Sequence, residues 1–538
     1  MGGGKWQVAR QQARADTGPV SEGDHPGRQP GAVTRPAVPA PGLPGLRYGS
    51  RAGRWVVAGT VLGSGIAALD ATVVGIGLPS IGRDFHVGVA SLQWVVDAYT
   101  LSLAGLLLLG GTLGDRYGRR RVFVIGTVWF ACASLLCGLA PNDITLILAR
   151  ALQGAGAALL TPGSLSILQA SFVEQDRSRA IGAWSGLGGL ATAVGPFVGG
   201  WLISAVSWRL VFFINLPIAA AVVAISARHV PESRSPDAAG PLDIPGAVTI
   251  TGGLVGITYG LIAAPAGGWS SPTVLASLLG GVALLAAFIL IESRRPDPML
   301  PLHVFASRQF SAANAVTFVV YAALSGALFL LPTVLQEVGH YSPLASGAAF
   351  LPVTIIMLTL SARSGALAAR IGPRLQMSVG PIVIAAGLAL FTRVTTGNYL
   401  TEVLPAVIVF GLGLAINVAP LTSTALGAVP AEHSGIASAV NNDVARAAGL
   451  IAVAVLPVAA GITGDSYLHP AALSHGFHNA VLIAAVACAA GGILAALTIR
   501  NPPRRFPVGQ PQPEPPRQEI HCCLDAPPLR GQGKPGFS

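Results

Sequence analysis

The chain has 538 residues, 52% of them hydrophobic and only 10% charged, with a formal net charge of +10 at pH 7. Soluble globular domains carry about 25% charged residues, so the composition excludes a soluble fold and points to an all-α polytopic membrane protein, expected as a monomer in the lipid bilayer. The basic excess lies in the tails and alternate loops, which is a topology signal and not a nucleic-acid-binding patch.

Residues 1–53 are rich in Gly, Pro, Arg and Gln and lack a hydrophobic period, so they read as a disordered leader. No cleavable signal peptide is expected, because the first apolar run starts only near Arg54. Fourteen apolar runs follow, each close to the roughly 20 helical residues that cross a bilayer core. The first six lie near Arg54–Pro79, Ser91–Gly111, Val122–Ala140, Asn142–Leu168, Ala180–Ala205 and Trp208–Ala227. A polar stretch from Arg228 to Gly240 separates them from runs seven and eight, near Ile244–Ala264 and Ser271–Ile291. The last six fall near Phe310–Thr333, Ala345–Leu367, Leu375–Val394, Leu400–Leu426, Gly435–Ile462 and Phe477–Thr498, before a Pro-rich tail. The expected plan is therefore a leader (1–53), a six-helix bundle (54–227), a linker with two extra helices (228–300), a second six-helix bundle (301–499) and a tail (500–538). An even number of spans puts both termini on one side. Arg51, Arg54, Arg500, Arg504 and Arg505 make that side the cytoplasm, in a multi-pass plasma-membrane protein.

Between runs two and three stands Gly111-Thr112-Leu113-Gly114-Asp115-Arg116-Tyr117-Gly118-Arg119-Arg120-Arg121, which reads as a tight charged hairpin. Its glycines let two helices turn and approach closely. An echo, Gly365 to Arg374, follows the second helix of the second half, with Ala369 where the first copy has Asp115. The echo makes the chain an internal repeat, and a site between two such bundles is the transporter plan.

Ionisable groups inside spans mark ion or substrate paths. Asp70, Asp97 and Arg150 fall at similar depth in runs one, two and four, where they can neutralise one another in pairs. Such a set either orients helices or couples protons. Burial favours a protonated acid and a nearby arginine an ionised one, so a small movement of Arg150 would switch Asp70 or Asp97. In run thirteen, Asp443 and Arg446 are spaced i, i+3 and read as a self-neutralising pair, with a substrate role for Asp443 as the alternative. Glu337 and His340 read as wet surface groups. Cys132, Cys137 and Cys488 read as buried small hydrophobes, and no metal-binding spacing occurs among the five cysteines. No phosphate loop, nucleophile elbow or His-rich metal motif points to an enzyme or an ATP-driven pump.

The spacing from Gly111 to Arg121 resembles the loop signature of the major facilitator superfamily. Gly195-Pro196-Phe197-Val198-Gly199-Gly200 resembles the superfamily's antiporter motif, with Ala191 replacing one of its glycines. Leu69-Asp70-x-Thr72-Val73-Val74 closing on Leu78-Pro79, Gln93-Trp94-Val95-Val96-Asp97-Ala98-Tyr99, Arg150 to Gly156, and Trp208-Arg209 through Asn215-Leu216-Pro217 extend the likeness to the fourteen-helix drug:proton antiporter branch, from about Arg54 to Arg500. Gly75 stands where that branch usually has asparagine.

The resemblance implies two six-helix bundles plus an inserted pair. It implies a gating latch of Gly111, Asp115, Arg116, Gly118, Arg119 and Arg120, with Asp115 near a helix N-terminus, and a leak-sealing kink at Gly195, Pro196, Gly199 and Gly200. Proton coupling falls to Asp70 and Arg150, with Asp97 beside them, and the substrate cavity to Asp443, Trp94 and Tyr99; Trp184, Tyr259 and Tyr321 are further aromatic candidates. The expected activity is export of amphipathic small molecules in exchange for protons, without a cofactor. A dedicated exporter of one natural product, a proton symporter, and a non-transporting sensor or scaffold are the alternatives.

Overall fold

The computed structural model describes residues 45–234, 242–296, 298–395, 398–430 and 434–501. The leader before residue 45, residues 235–241 of the linker and the tail with Cys522 and Cys523 lie outside the described residues. Fourteen helices are long and apolar enough to cross a membrane. They are α1 (Arg51–Phe85), α2 (Val89–Tyr117), α3 (Arg119–Gly138), α4 (Asp143–Ser171), α5 (Glu174–Ala205), α6 (Leu210–His229), α7 (Ile244–Gly267) and α8 (Pro272–Arg294) in the first part of the chain. The second part holds α9 (Arg308–Glu337), α10 (Pro343–Ile371), α11 (Pro373–Arg393), α12 (Tyr399–Gly427), α13 (Gly435–Ala459) and α14 (Pro470–Thr498).

Several helices outrun the apolar runs that predict them. Helix α1 continues through Pro79 to Phe85, so Arg83 is helical and the turn comes at His86, in the left-handed region (φ 55°). The residues before α1 are tied down too. Leu46 pairs backbone with the α4–α5 junction through Leu46 N–H to Ser171 O (2.8 Å) and Val173 N–H to Leu46 O (3.2 Å).

Gly111 to Tyr117, expected as a hairpin, is instead the last two turns of α2. The whole reversal is made by Gly118 at φ 114°, a conformation that costs a residue with a Cβ dearly. Its counterpart Gly372, at φ 89°, alone joins α10 to α11. The repeat thus reaches down to single backbone torsions. It also governs packing: α2 and α3 lie on α4, and α1 on α5 and α6, while α10 and α11 lie on α12, and α9 on α13 and α14. These are the same pairs displaced by eight helices, which makes two six-helix bundles with α7 and α8 inserted between them in sequence.

The chain enters α1 from a face rich in arginine: Arg116, Arg119, Arg120, Arg121, Arg177, Arg228, Arg294, Arg374 and Arg500 all fall at the helix ends or connections there. Among the described residues, only Arg83, Arg209 and Arg393 lie at the opposite face. Helix α7 leans on α2 and α13, one from each bundle. Leu254 of α7 joins Leu101 of α2 and Leu450 of α13 in one apolar cluster. The inserted pair therefore covers one seam between the bundles.

Candidate functional site

Two buried acids on the first bundle have opposite surroundings. Asp70 of α1 is saturated. Arg150 Nη1 lies 2.5 Å from Asp70 Oδ2, while Gln153 Nε2 and Asn215 Nδ2 donate to Asp70 Oδ1 at 2.8 and 2.9 Å. Arg150 is itself held by Val95 O (3.0 Å) and Gln153 Oε1 (2.7 Å), and its guanidinium lies 4.2 Å from the centroid of the Tyr99 ring. Ser134 Oγ accepts from Gln153 and Asn215 and donates to Phe212 O. Five helices meet here, and they can because Gly154 removes the side chain that would separate α4 from α2; a Cβ there would come 2.3 Å from Tyr99 O. Gln153, Asn215 and Ser134 were not foreseen as partners. Gln153 and Asn215 lie inside stretches that the sequence already marks, and a polar residue in an apolar span was the available signal.

Asp97 of α2 does not join this network, contrary to the expected mutual neutralisation of all three groups. It is fully buried and neither carboxylate oxygen has a partner. A charge kept in hydrocarbon without a partner is costly, so such a group is either neutralised by a proton or paired with something that binds beside it. Asp97 forms part of the wall of a cavity of about 570 Å³ between the bundles. Thr100, Pro196, Tyr321, Phe329 and Arg446 also line it.

Of the expected cavity residues Tyr321 is on the wall, whereas Tyr99, Trp94 and Asp443 are not. Tyr99 is buried against Arg150 and donates to Ala67 O (3.2 Å). Trp94 turns toward Tyr259 of α7, with ring centroids 6.4 Å apart, and Asp443 is off the cavity wall. Asp443 and Arg446 are not hydrogen-bonded to each other through Asp443 Oδ1 or Arg446 Nε, which are buried without partners. Spacing i, i+3 brings two stems together, but it does not aim the tips at each other.

Among the described residues, the hydrogen bonds and ion pairs seen between the bundles all lie in the half remote from the basic face. Gln93 Nε2 donates to Val453 O (2.7 Å) and Gln336 Nε2 to Ile76 O (3.0 Å). Tyr467 Oη donates to Val87 O (2.6 Å), and Val89 N–H to Gly464 O (2.8 Å). Arg83 pairs with Glu337, so Glu337 is a cross-bundle contact and not a free surface group.

The Gly-Pro motif serves this seal in two ways. Cβ atoms on Gly195 and Gly199 would meet Thr72 Oγ1 at 2.1 Å and Val73 Cγ1 at 2.6 Å, so these glycines let α5 lie on α1. A Cβ on Gly200 would come 2.4 Å from Pro343 O, across the seam on α10. Nearer the basic face, Cβ atoms on Gly182, Gly186, Gly188 and Gly189 of α5 would meet nothing within 4 Å.

At the basic face Asp115 reaches Arg119, the first residue of α3, across the glycine turn (2.8 Å). The acid set against the first amides of α3 is Glu232, which follows α6 and was not singled out. Its carboxylate accepts from Arg120 N–H (3.1 Å) and Arg121 N–H (3.2 Å) and lies 3.7 Å from the Arg120 side chain. An acid at a helix N-terminus satisfies amides that have no partner within the helix. Arg116 lies with its guanidinium 5.6 Å from the Tyr117 ring centroid. A Cβ on Gly111 would sit 3.7 Å from Pro162 Cβ. Cys137 and Cys488 are buried as expected, whereas Cys132 is exposed on the outside of the helices.

The family model described as Major Facilitator Superfamily matches residues 60–454. The chain is 39% identical over 442 residues to the puromycin resistance protein pur8 of Streptomyces alboniger, covering 80% of this chain and 87% of that one. It is 34% identical over 393 residues to the tetracenomycin C resistance and export protein of Streptomyces glaucescens, with 73% of each chain covered. Among solved structures it resembles a D-xylose-proton symporter, with a TM-score of 0.58, 15% identity, and coverage of 83% of this chain and 98% of that one. A bacterial homologue of the lysosomal transporter Spinster, in an inward-facing and unoccupied conformation, gives a TM-score of 0.60 at 16% identity, with 84% and 98% covered.

Proposed function

We propose that this chain, which belongs to the Major Facilitator Superfamily and is a membrane transporter, exports an amphipathic small molecule from the cell in exchange for protons. The observation that carries the reading is Asp97: a fully buried acid, without a partner, on the wall of a cavity between two bundles whose cross-bundle hydrogen bonds, among the described residues, lie in the half remote from the basic face. An unpartnered carboxylate in such a place is held neutral by a proton or ionised beside a bound cation, and the two states exclude each other. Competition of that kind is sufficient for antiport. By contrast, Asp70 is held by an arginine and two amides, which fits it to position α4 against α1 more than to exchange protons.

The direction of transport is supported by the relatives named for resistance and export and by the Gly195–Gly200 seal. With the basic face as the cytoplasmic face of the plasma membrane, the structure corresponds to a state closed outward and open inward. Opening outward requires the contacts from Arg83–Glu337 to Gly200–Pro343 to part and the basic-side halves of α5 and α10 to close. The energy would come from the proton gradient, with no bound cofactor.

The test is ethidium efflux from cells expressing the chain, with and without a protonophore. Efflux that collapses with the gradient is the expected result. Efflux that continues undiminished without a gradient would overturn proton coupling.

A further inference from the structure

The cavity carries a second charge of opposite sign, on the other bundle. Helices α2 and α13 run antiparallel and are tied where Gln93 Nε2 donates to Val453 O. One turn along α2 from Gln93 is Asp97. One turn back along α13 from Val453 is Gly449, and three residues further is Arg446. Asp97, Gly449 and Arg446 all line the cavity.

The two charges face the same space without satisfying each other. Neither makes an ion pair among the described residues; both Asp97 oxygens and Arg446 Nε are buried and lack hydrogen-bond partners. Asp70 and Arg150 show what a structural pair looks like here: they touch at 2.5 Å. Beside Arg446 the wall carries the neutral side chains of Asn442 and Ser325; the remainder is largely apolar, including Leu328, Phe329 and Phe410.

Resting on the export reading above, we infer that Arg446 is a specificity-determining residue that binds a carboxylate of the substrate, and that the substrate class is a zwitterionic amphiphile. Its protonated nitrogen is taken by Asp97 on the first bundle, its carboxylate by Arg446 with Asn442 on the second, and its apolar body by the wall between. A guanidinium presents a planar fork that matches a carboxylate. A molecule held at both ends also draws the two bundles together, which a simple lipophilic cation bound only at Asp97 does not do.

The test uses the full chain in lipid nanodiscs and two probes, a rhodamine dye with a free carboxylate and the methyl ester of the same dye, titrated by fluorescence anisotropy. The wild-type protein is expected to bind the free acid about tenfold more tightly than the ester, the size of one charge-assisted hydrogen bond. Arg446→Gln should abolish that preference while leaving ester affinity unchanged, and Arg446→Lys should restore part of it. Unchanged ester binding also shows that the variant is folded. Equal wild-type affinity for both dyes, no binding of either, or equal weakening of both by Arg446→Gln would overturn the inference. Gradient-driven ethidium efflux without a carboxylate preference sinks this inference alone. A carboxylate preference without any gradient-driven efflux sinks the export reading and leaves the binding site standing.

Discussion

Arg150 Nη1 and Asp70 Oδ2 lie 2.5 Å apart, on side chains 1% and 0% exposed and 80 positions distant in sequence. Removing one partner of a buried pair leaves the other uncompensated, at a cost of about 3–5 kcal/mol, whereas an apolar replacement of both is often neutral. Asp70→Asn should therefore lower thermal stability in detergent sharply, and the double change Asp70→Leu with Arg150→Met should recover much of it. A single Asp70→Asn variant as stable as the wild type would show that the network does not hold these helices together.

Asp97 gives the opposite expectation. Its carboxylate has no partner to strand, so Asp97→Asn should leave the melting temperature unchanged or raise it. In proteoliposomes the same variant should lose gradient-driven transport by more than about tenfold, the scale of a group essential to the coupled step, while still exchanging substrate between the two sides. Full gradient-driven transport by Asp97→Asn would transfer the proton to another group.

At Gly200 a Cβ would meet Pro343 O at 2.4 Å, and backbone on both sides cannot yield cheaply. Gly200→Val should wedge the outer seal and shift the population toward the outward-open state. A cysteine at position 337, in a Cys132→Ser background, should then react faster with a membrane-impermeant thiol reagent. Gly186→Ala, which meets nothing within 4 Å in this state, is the control and should not change that rate.

Asp243 caps α7 by accepting from Gly246 N–H (2.8 Å), and it pairs with Arg295 beyond the end of α8. Burial pushes its carboxyl up, but the Glu292 carboxyl, the Gly246 amide and the Arg295 guanidinium together hold it below its ordinary range. A depressed carboxyl contributes stability that is present above the unfolded value, about 3.9, and is lost as pH falls through the folded one. Asp243→Ala should cost about 1 kcal/mol, typical of an N-cap, seen as a lower melting temperature at neutral pH. The difference from wild type should shrink on acidification below the unfolded value.

Much of this was legible in the residues. The apolar runs located all fourteen spans, and the echo at Gly365–Arg374 located the repeat that pairs α2, α3 and α4 like α10, α11 and α12. Asp97 and Arg446 were visible as charges in apolar runs. Their isolation was not, and neither was the capture of Tyr99 by Arg150 or the turn of Trp94 toward α7. The same limit explains Glu232. Nothing in its polar surroundings distinguishes it until α6 ends beside the first amides of α3.

What the chain determines by itself is therefore its topology: fourteen spans, two bundles with an inserted pair, and a basic face. Membrane insertion responds to local hydropathy and local charge, which neighbouring residues specify without reference to the rest of the fold. Only the tertiary structure decided which buried acid is satisfied. Asp70 takes its donors from Arg150, Gln153 and Asn215, which lie 80, 83 and 145 positions away, whereas Asp97 finds none. That outcome depends on how each helix is rotated about its own axis against its neighbours, and rotation is set by packing across the whole bundle.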